Sequence, residues 1–403
     1  MKKAFNSIAI FVLSTVVCML SCSSEAPGEE PKDELKEPGS DISEQVQLYD
    51  WEKNRTEMLN STDMVLIYGG GDRSREPYEW TTEAFEPYVK YEDQKGKSHW
   101  MFDAFVFLEL GDSEREVMYT YYTYDKPSYT SATKNDWKRL VDYYFSSNTG
   151  IGALNRAVAN AQNTLGNQPK KRRVVIAIPE PIRYKKPGEM SSSTIYWGTV
   201  DGHIIDFSKN EDRIAACKWY VDYVRSKFNE MQYKNVELAG FYWLYETVDP
   251  GKDEELIKGV RDYLEKFKYN FCWAPFYKST GHDKWDKLGF NTAYYQPNYF
   301  FNPDKSIQQL KDACQTAVNK NMDMEFEFDY RALTKNDPNG FYAARMRDYM
   351  SVFKEYKIWD HKFLAYYQGL NNFLSFKNSS DSKDQELYHD FCQFVITRPI
   401  RSK

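Results

Sequence analysis

From position 63 onward, short apolar runs alternate with longer stretches of helical period. The apolar runs span 63–71, 101–110, 173–180, 236–246, 271–277, 291–300, 322–330 and 362–369. Runs of this length, several stopped by Gly or Pro, read as strands of a buried parallel sheet. Between them, apolar positions recur at helical spacing over 80–89, 135–145, 151–165, 212–231, 254–267, 306–319, 340–356 and 384–394, with a short helix near Lys284. The segment 91–99, with Lys95-Gly96-Lys97 at its centre, reads as a small hairpin, and 45–59 as a helix outside the core. Eight strands alternating with helices predict a (β/α)8 TIM-type barrel, because every parallel crossover needs a covering element. A doubly wound open sheet is the competing arrangement. Its nucleotide-binding versions carry a Gly-rich βα turn, and Gly69-Gly70-Gly71-Asp72-Arg73 fits neither G-x-G-x-x-G nor G-x-x-x-x-G-K-[ST].

The seventh run is the most informative. It reads D-M-E-F-E-F-D over 323–329, so Asp323, Glu325, Glu327 and Asp329 share one phase while Met324, Phe326 and Phe328 share the other. In a closed barrel the apolar phase faces the helices and the acidic phase faces the lumen. The acids then form a depth series: Asp323 near the bottom, Glu325 buried and in need of a basic or hydroxyl partner, Glu327 at the reaction level and Asp329 at the rim.

The N-terminus divides the chain further. Met1-Lys2-Lys3 and the apolar run 8–20 have the layout of a secretory signal, and the run ends in Met19-Leu20-Ser21-Cys22. That ending resembles a bacterial lipobox, which implies cleavage after Ser21 and a lipid on Cys22; Met19 and Leu20 are looser than the commonest pattern, and an ordinary secreted product is the alternative. The expected domains are a lipoprotein signal at 1–21, a flexible acidic tether at 22–44 and a barrel domain with its N-terminal helix at 45–403. The expected location is the cell envelope, anchored in the outer membrane or at the cell surface. Cys217, Cys272, Cys314 and Cys392 lack C-x-x-C spacing and read as buried free thiols, with a disulfide as the alternative in an exported chain. With a formal net charge of -6 and no Lys/Arg block resembling a nucleic-acid footprint, nucleic acid is discounted as a partner. The chain is expected to be a monomer.

Aromatic residues are abundant, with 32 Tyr, 25 Phe and 10 Trp, which suits a cleft that stacks on flat, hydroxyl-rich ligands such as sugars. Catalysis in such barrels lies at the C-terminal ends of the strands. The acids there are Glu109, Glu180, Glu246, Glu327 and Asp329. Two carboxyls facing across a cleft are what glycoside hydrolysis requires, one as general acid and the other as nucleophile or as base for water. Glu246 and Glu327 lead, followed by Glu180. Substrate contacts are expected from Tyr68, Asp72, Arg73, Glu109, Trp243, Trp273, Tyr277, Tyr294, Gln296, Asn298, Asp329, Tyr367 and Gln368. No histidine pair has metal-ligand spacing, which argues against a dedicated zinc site, and no G-x-S-x-G elbow occurs, which argues against a serine hydrolase. No cofactor is expected, and the Asp/Glu content alone leaves a carboxylate-bound Ca2+ open.

A Glu late in strand four and a Glu late in strand seven resemble the large superfamily of barrel glycoside hydrolases. That resemblance implies Glu246 as acid/base and Glu327 as nucleophile. Many members place Asn immediately before the fourth-strand acid, where this chain has Tyr245. From about Asp63 the chain is also similar to a bacterial lipoprotein family classed as a domain of unknown function. The similarity is carried by Tyr68-Gly69-Gly70-Gly71, Phe241-Tyr242-Trp243-Leu244-Tyr245-Glu246 and Trp273-Ala274-Pro275-Phe276-Tyr277. The expectation is an enzyme cleaving glycosidic bonds in a poly- or oligosaccharide. The alternative is a non-catalytic glycan-binding lipoprotein on the same scaffold.

Overall fold

A computed structural model describes residues 59–71, 79–121 and 128–402. The signal, the tether, Cys22, Asp72, Arg73 and the helix expected at 45–59, apart from Leu59, lie outside the described residues. Eight parallel strands close into a barrel in chain order. They are β1 (Asp63–Tyr68), β2 (Ala104–Leu108), β3 (Arg172–Ile178), β4 (Val236–Trp243), β5 (Asn270–Trp273), β6 (Thr292–Tyr295), β7 (Asp323–Glu327) and β8 (Leu364–Tyr367). Closure comes from β1 pairing with both β2 and β8. All eight expected strands are present, six within their apolar runs and two, β3 and β5, starting one residue earlier at Arg172 and Asn270.

The outer layer is α1 (Thr82–Val89), α2 (Lys134–Tyr144), α3 (Gly150–Leu165), α4 (Asn210–Met231), α5 (Glu254–Glu265), α6 (Ile307–Asn319), α7 (Phe341–Glu355), α8 (Asn372–Lys377) and α9 (Ser382–Ile396). Local chemistry sets several starts. Ser306 accepts from the Gln308 amide at α6, Asp381 accepts from Lys383 and Asp384 at α9, and Thr133 with Asp136 forms a capping box at α2. The hairpin pairs Lys90–Glu92 with Ser98–Trp100. Cys217, Cys272, Cys314 and Cys392 are buried and free. Among the described residues no helix is long and apolar enough to cross a membrane.

Strand β7 divides as its alternation requires. Phe326 packs outward on Tyr349 and Phe353 of α7 and on Phe391 and Phe394 of α9. In β4 the register with β3 slips between Leu238 and Gly240, and a Cβ at Gly240 would lie 2.5 Å from the Asn270 carbonyl oxygen of β5. Glycine there lets two barrel strands approach closely.

The barrel floor is ionic. Arg173 pairs with Glu237 inside it, and Arg172 lies 4.4 Å over the Trp100 ring, so these two basic residues are buried parts of β3. Asp63, at the start of β1, accepts from Tyr366 Oη at 2.7 Å and from Arg401 at 2.8 Å, and is bonded to Arg398. The chain's last turn is thereby latched to its first strand. Because the Asp63 and Arg398 side chains are both fully buried, removing one leaves an uncompensated charge. Asp63→Ala is expected to cost about 3–5 kcal/mol, read as a lower urea midpoint. An unchanged midpoint would show that the latch contributes nothing.

Candidate active site

The C-terminal ends of the strands surround a cleft of about 430 Å³. Its walls include Tyr68 after β1, Leu110, Thr120 and Tyr121 after β2, and Leu244, Tyr245, Glu246 and Thr247 after β4. Phe276, Gln296, Asn298 and Phe301 follow from β5 and β6, Glu325 and Glu327 from β7, and Tyr367 from β8. Rings touch along these walls: Tyr68 to Tyr367 at 5.8 Å, Tyr367 to Phe301 at 5.4 Å, and Tyr121 to Tyr245 at 5.6 Å between centroids.

Three carboxyls meet here. Glu246 lies just beyond β4, exposed to the cleft, and accepts a hydrogen bond from Gln296 Nε2 at 2.9 Å. Surrounding protein still desolvates it enough to raise its pKa, an effect the Gln296 amide opposes. Glu327 ends β7 and is buried, with Tyr349 Oη of α7 donating to its Oε2. Burial pushes its pKa up to about 8, with Glu246 adding to the rise, while Tyr349 and the backbone amides of Asn298 and Tyr299 act against it. Asn298 adopts φ +49, a left-handed conformation that Asn tolerates, and its Oδ1 accepts from the Tyr277 amide. Glu325 lies two residues deeper. Burial raises its pKa well above the ordinary carboxylate range, and Glu327 and Glu246 raise it further. The partner expected for it is missing from one side, since its Oε2 is buried without a hydrogen bond.

Of the residues expected from sequence, the structure brings Tyr68, Glu246, Gln296, Asn298, Glu327 and Tyr367 together around the cleft. Others sit behind its walls. Glu180 is buried and accepts from Thr120 Oγ1 at 3.0 Å and from the Tyr121 amide at 3.3 Å, so it holds two wall residues in place. Its cationic neighbour is Arg213, which acts against the effect of burial, and its pKa is pushed up to about 8. Glu109 is buried against Gly71, where a Cβ would lie 2.4 Å from the Glu109 Cγ. Trp243 packs on Phe271, and Trp273 stacks on Phe290 while donating to the Tyr245 carbonyl. Tyr277 meets Tyr295, and Tyr294 is buried in β6. Asp329 caps the turn Tyr330–Ala332 and pairs with Arg331. Gln368 is fully buried, accepting from Tyr88 Oη and the Phe373 amide. Thr120, Tyr121, Phe276, Phe301 and Glu325 were not among the expected contacts.

The buried carboxyls set a pH dependence. In the fold Glu180 and Glu327 keep their protons up to about 8, whereas an unfolded Glu ionises near about 4.3. The folded state therefore binds more protons between these values. Its stability contribution from both groups is complete below the lower value and is lost as pH rises through the upper one. The urea midpoint is expected to be lower at pH 9 than at pH 6. A rise over that interval would mean that both carboxyls are ionised and paired in the fold.

The family described as domain of unknown function (DUF4855) matches residues 63–393, and the chain belongs to it. A comparison with curated proteins finds no match. Among solved structures, the chain is similar to a proposed alpha-L-fucosidase from Bacteroides thetaiotaomicron, with 12% identity over 84% of this chain and 97% of that one and a TM-score of 0.43. It is also similar to a chitinase from Ipomoea carnea, with 10% identity over 81% and 99% and a TM-score of 0.38. A tryptophan synthase alpha-subunit from Pyrococcus furiosus matches with 7% identity over 86% and 100% and a TM-score of 0.33. Likenesses this distant assign no activity.

Proposed function

We propose that this chain hydrolyses glycosidic bonds in a poly- or oligosaccharide, with Glu246 and Glu327 as the carboxylate pair. The observation that carries this reading is that both carboxyls, supplied from the ends of β4 and β7, line one aromatic-walled cleft at the catalytic mouth of the barrel. Glu246 is open to the cleft and bonded to a neutral amide, which suits proton donation to a leaving oxygen and later activation of water. Glu327 is buried and oriented by Tyr349, and once its proton is lost the carboxylate is placed for attack at the anomeric carbon or for fixed positioning of a water. The aromatic edges of Tyr68, Tyr367 and Phe301 offer surfaces for sugar faces. Incubating the purified mature protein with a broad glycan panel tests the reading. New reducing ends from at least one glycan are expected. Binding without cleavage would instead favour a glycan-binding protein on the same scaffold.

The lipobox-like Ser21-Cys22 supports a second element of the proposal, an anchor placing the barrel at the cell envelope. Cys22→Ser is expected to abolish incorporation of labelled fatty acid and to move the protein from the membrane fraction to the soluble one. Unchanged membrane retention of the variant would remove the anchor.

A further inference from the structure

Two of the three cleft carboxyls have side-chain partners, Glu246 in Gln296 and Glu327 in Tyr349. Glu325 differs. It is 2% exposed, lines the cleft from the same face of β7 as Glu327, and has its Oε2 buried without a hydrogen bond. The groups that act on it or stand beside it are Glu327 on its own strand, Glu246 and Tyr242 from β4, Tyr68 from β1 and Tyr367 from β8. Among the described residues lining the cleft there is no Lys, Arg or His.

A buried polar oxygen without a hydrogen-bond partner is unfavourable, and such a deficit calls for a partner. A sugar hydroxyl would supply a hydrogen bond but no charge to stabilise an ionised Glu325. An ammonium supplies both the donor and the opposing charge. Among the described residues, no three His, Cys, Asp or Glu side chains converge closely enough to hold a metal ion, so an organic cation fits the geometry better. Resting on the carbohydrate reading above, we propose that the base of the cleft takes an ammonium group at Glu325, and that the preferred sugar carries a free amine. In the empty cleft burial and two neighbouring carboxyls favour the protonated form of Glu325. The arriving ammonium reverses that balance. Glu325 releases one proton to solvent as the ion pair forms, and no other bond is made or broken.

Monosaccharides test this without turnover, since they contain no glycosidic bond. Calorimetry on the mature protein at pH 6.5 compares glucosamine and 6-amino-6-deoxyglucose with glucose, in buffers of different ionisation enthalpy. At least one amine is expected to bind about tenfold more tightly than glucose. Its binding enthalpy should vary with buffer as the release of about one proton requires. Glu325→Gln is expected to bring the amine-to-glucose ratio to about one. Glucose binding as tightly as both amines would overturn the inference, as would amine binding without proton release or no binding by any of the three. Cleavage in the glycan panel would leave the glycosidase reading standing in each of those cases.

Discussion

Glu327→Gln is expected to lower kcat by about 10⁴-fold or more on any glycan the protein cleaves, with KM little changed. The substitution keeps the shape of the side chain and an oxygen that can accept from Tyr349 Oη, so packing around β7 is preserved. In the proposed mechanism it removes the atom that would attack carbon or take the proton of water. That requirement is the same for every leaving group, so the loss should be equally large on aryl glycosides with acidic phenols. Steady-state kinetics on both substrate types checks it. A loss below about tenfold would move the nucleophile or base to another residue.

Glu246→Gln is expected to behave differently. Proton donation to the leaving oxygen contributes about 10²–10⁴-fold, so natural glycans with poor leaving groups should lose activity by that factor. Aryl glycosides whose phenols need no proton should lose far less in the bond-breaking step. In the active form Glu246 carries its proton, and losing that proton would set the alkaline limb of kcat/KM, so the limb should disappear in Glu246→Gln. A uniform loss across leaving groups, with the alkaline limb retained, would separate Glu246 from the proton-donor role.

The barrel was legible because its strands are short apolar runs separated by helical periods, and each run forms its strand in place. The apolar phase of β7 lies against the helices, with Phe326 packed between α7 and α9 as the alternation of D-M-E-F-E-F-D requires. Helix α8 was missed because its six residues are too few to display a period. The site was legible only in part, and the residues outside it share a physical reason. Leu110, Leu244 and Phe276 reach the cleft, which fixes the lumen phase of the segments ending β2, β4 and β5. Glu109, Trp243 and Trp273 occupy the opposite phase and pack behind the wall, and the half-buried Tyr277 shares that phase, against Tyr295. Gln368 likewise follows Tyr367 out of phase. Chemical type drew attention to these side chains, whereas period-two counting from Glu246 would have selected Leu244 and Tyr242 over Trp243. Thr120, Tyr121 and Phe301 come from loops, where no period operates. Their contribution depends on tertiary contacts such as the bonds from Thr120 and Tyr121 to Glu180.

The central claim is that Glu246 and Glu327 flank the bond that is broken. A crystal structure of the Glu327→Gln protein with an uncleaved oligosaccharide tests it most directly. The account predicts the glycosidic oxygen within hydrogen-bond distance of Glu246 and the anomeric carbon facing position 327. A carboxyl separation of about 5–5.5 Å in the native protein would indicate retention, and about 6.5–9.5 Å inversion. A sugar bound with its glycosidic oxygen away from Glu246, or outside the β4–β7 cleft, would contradict the account.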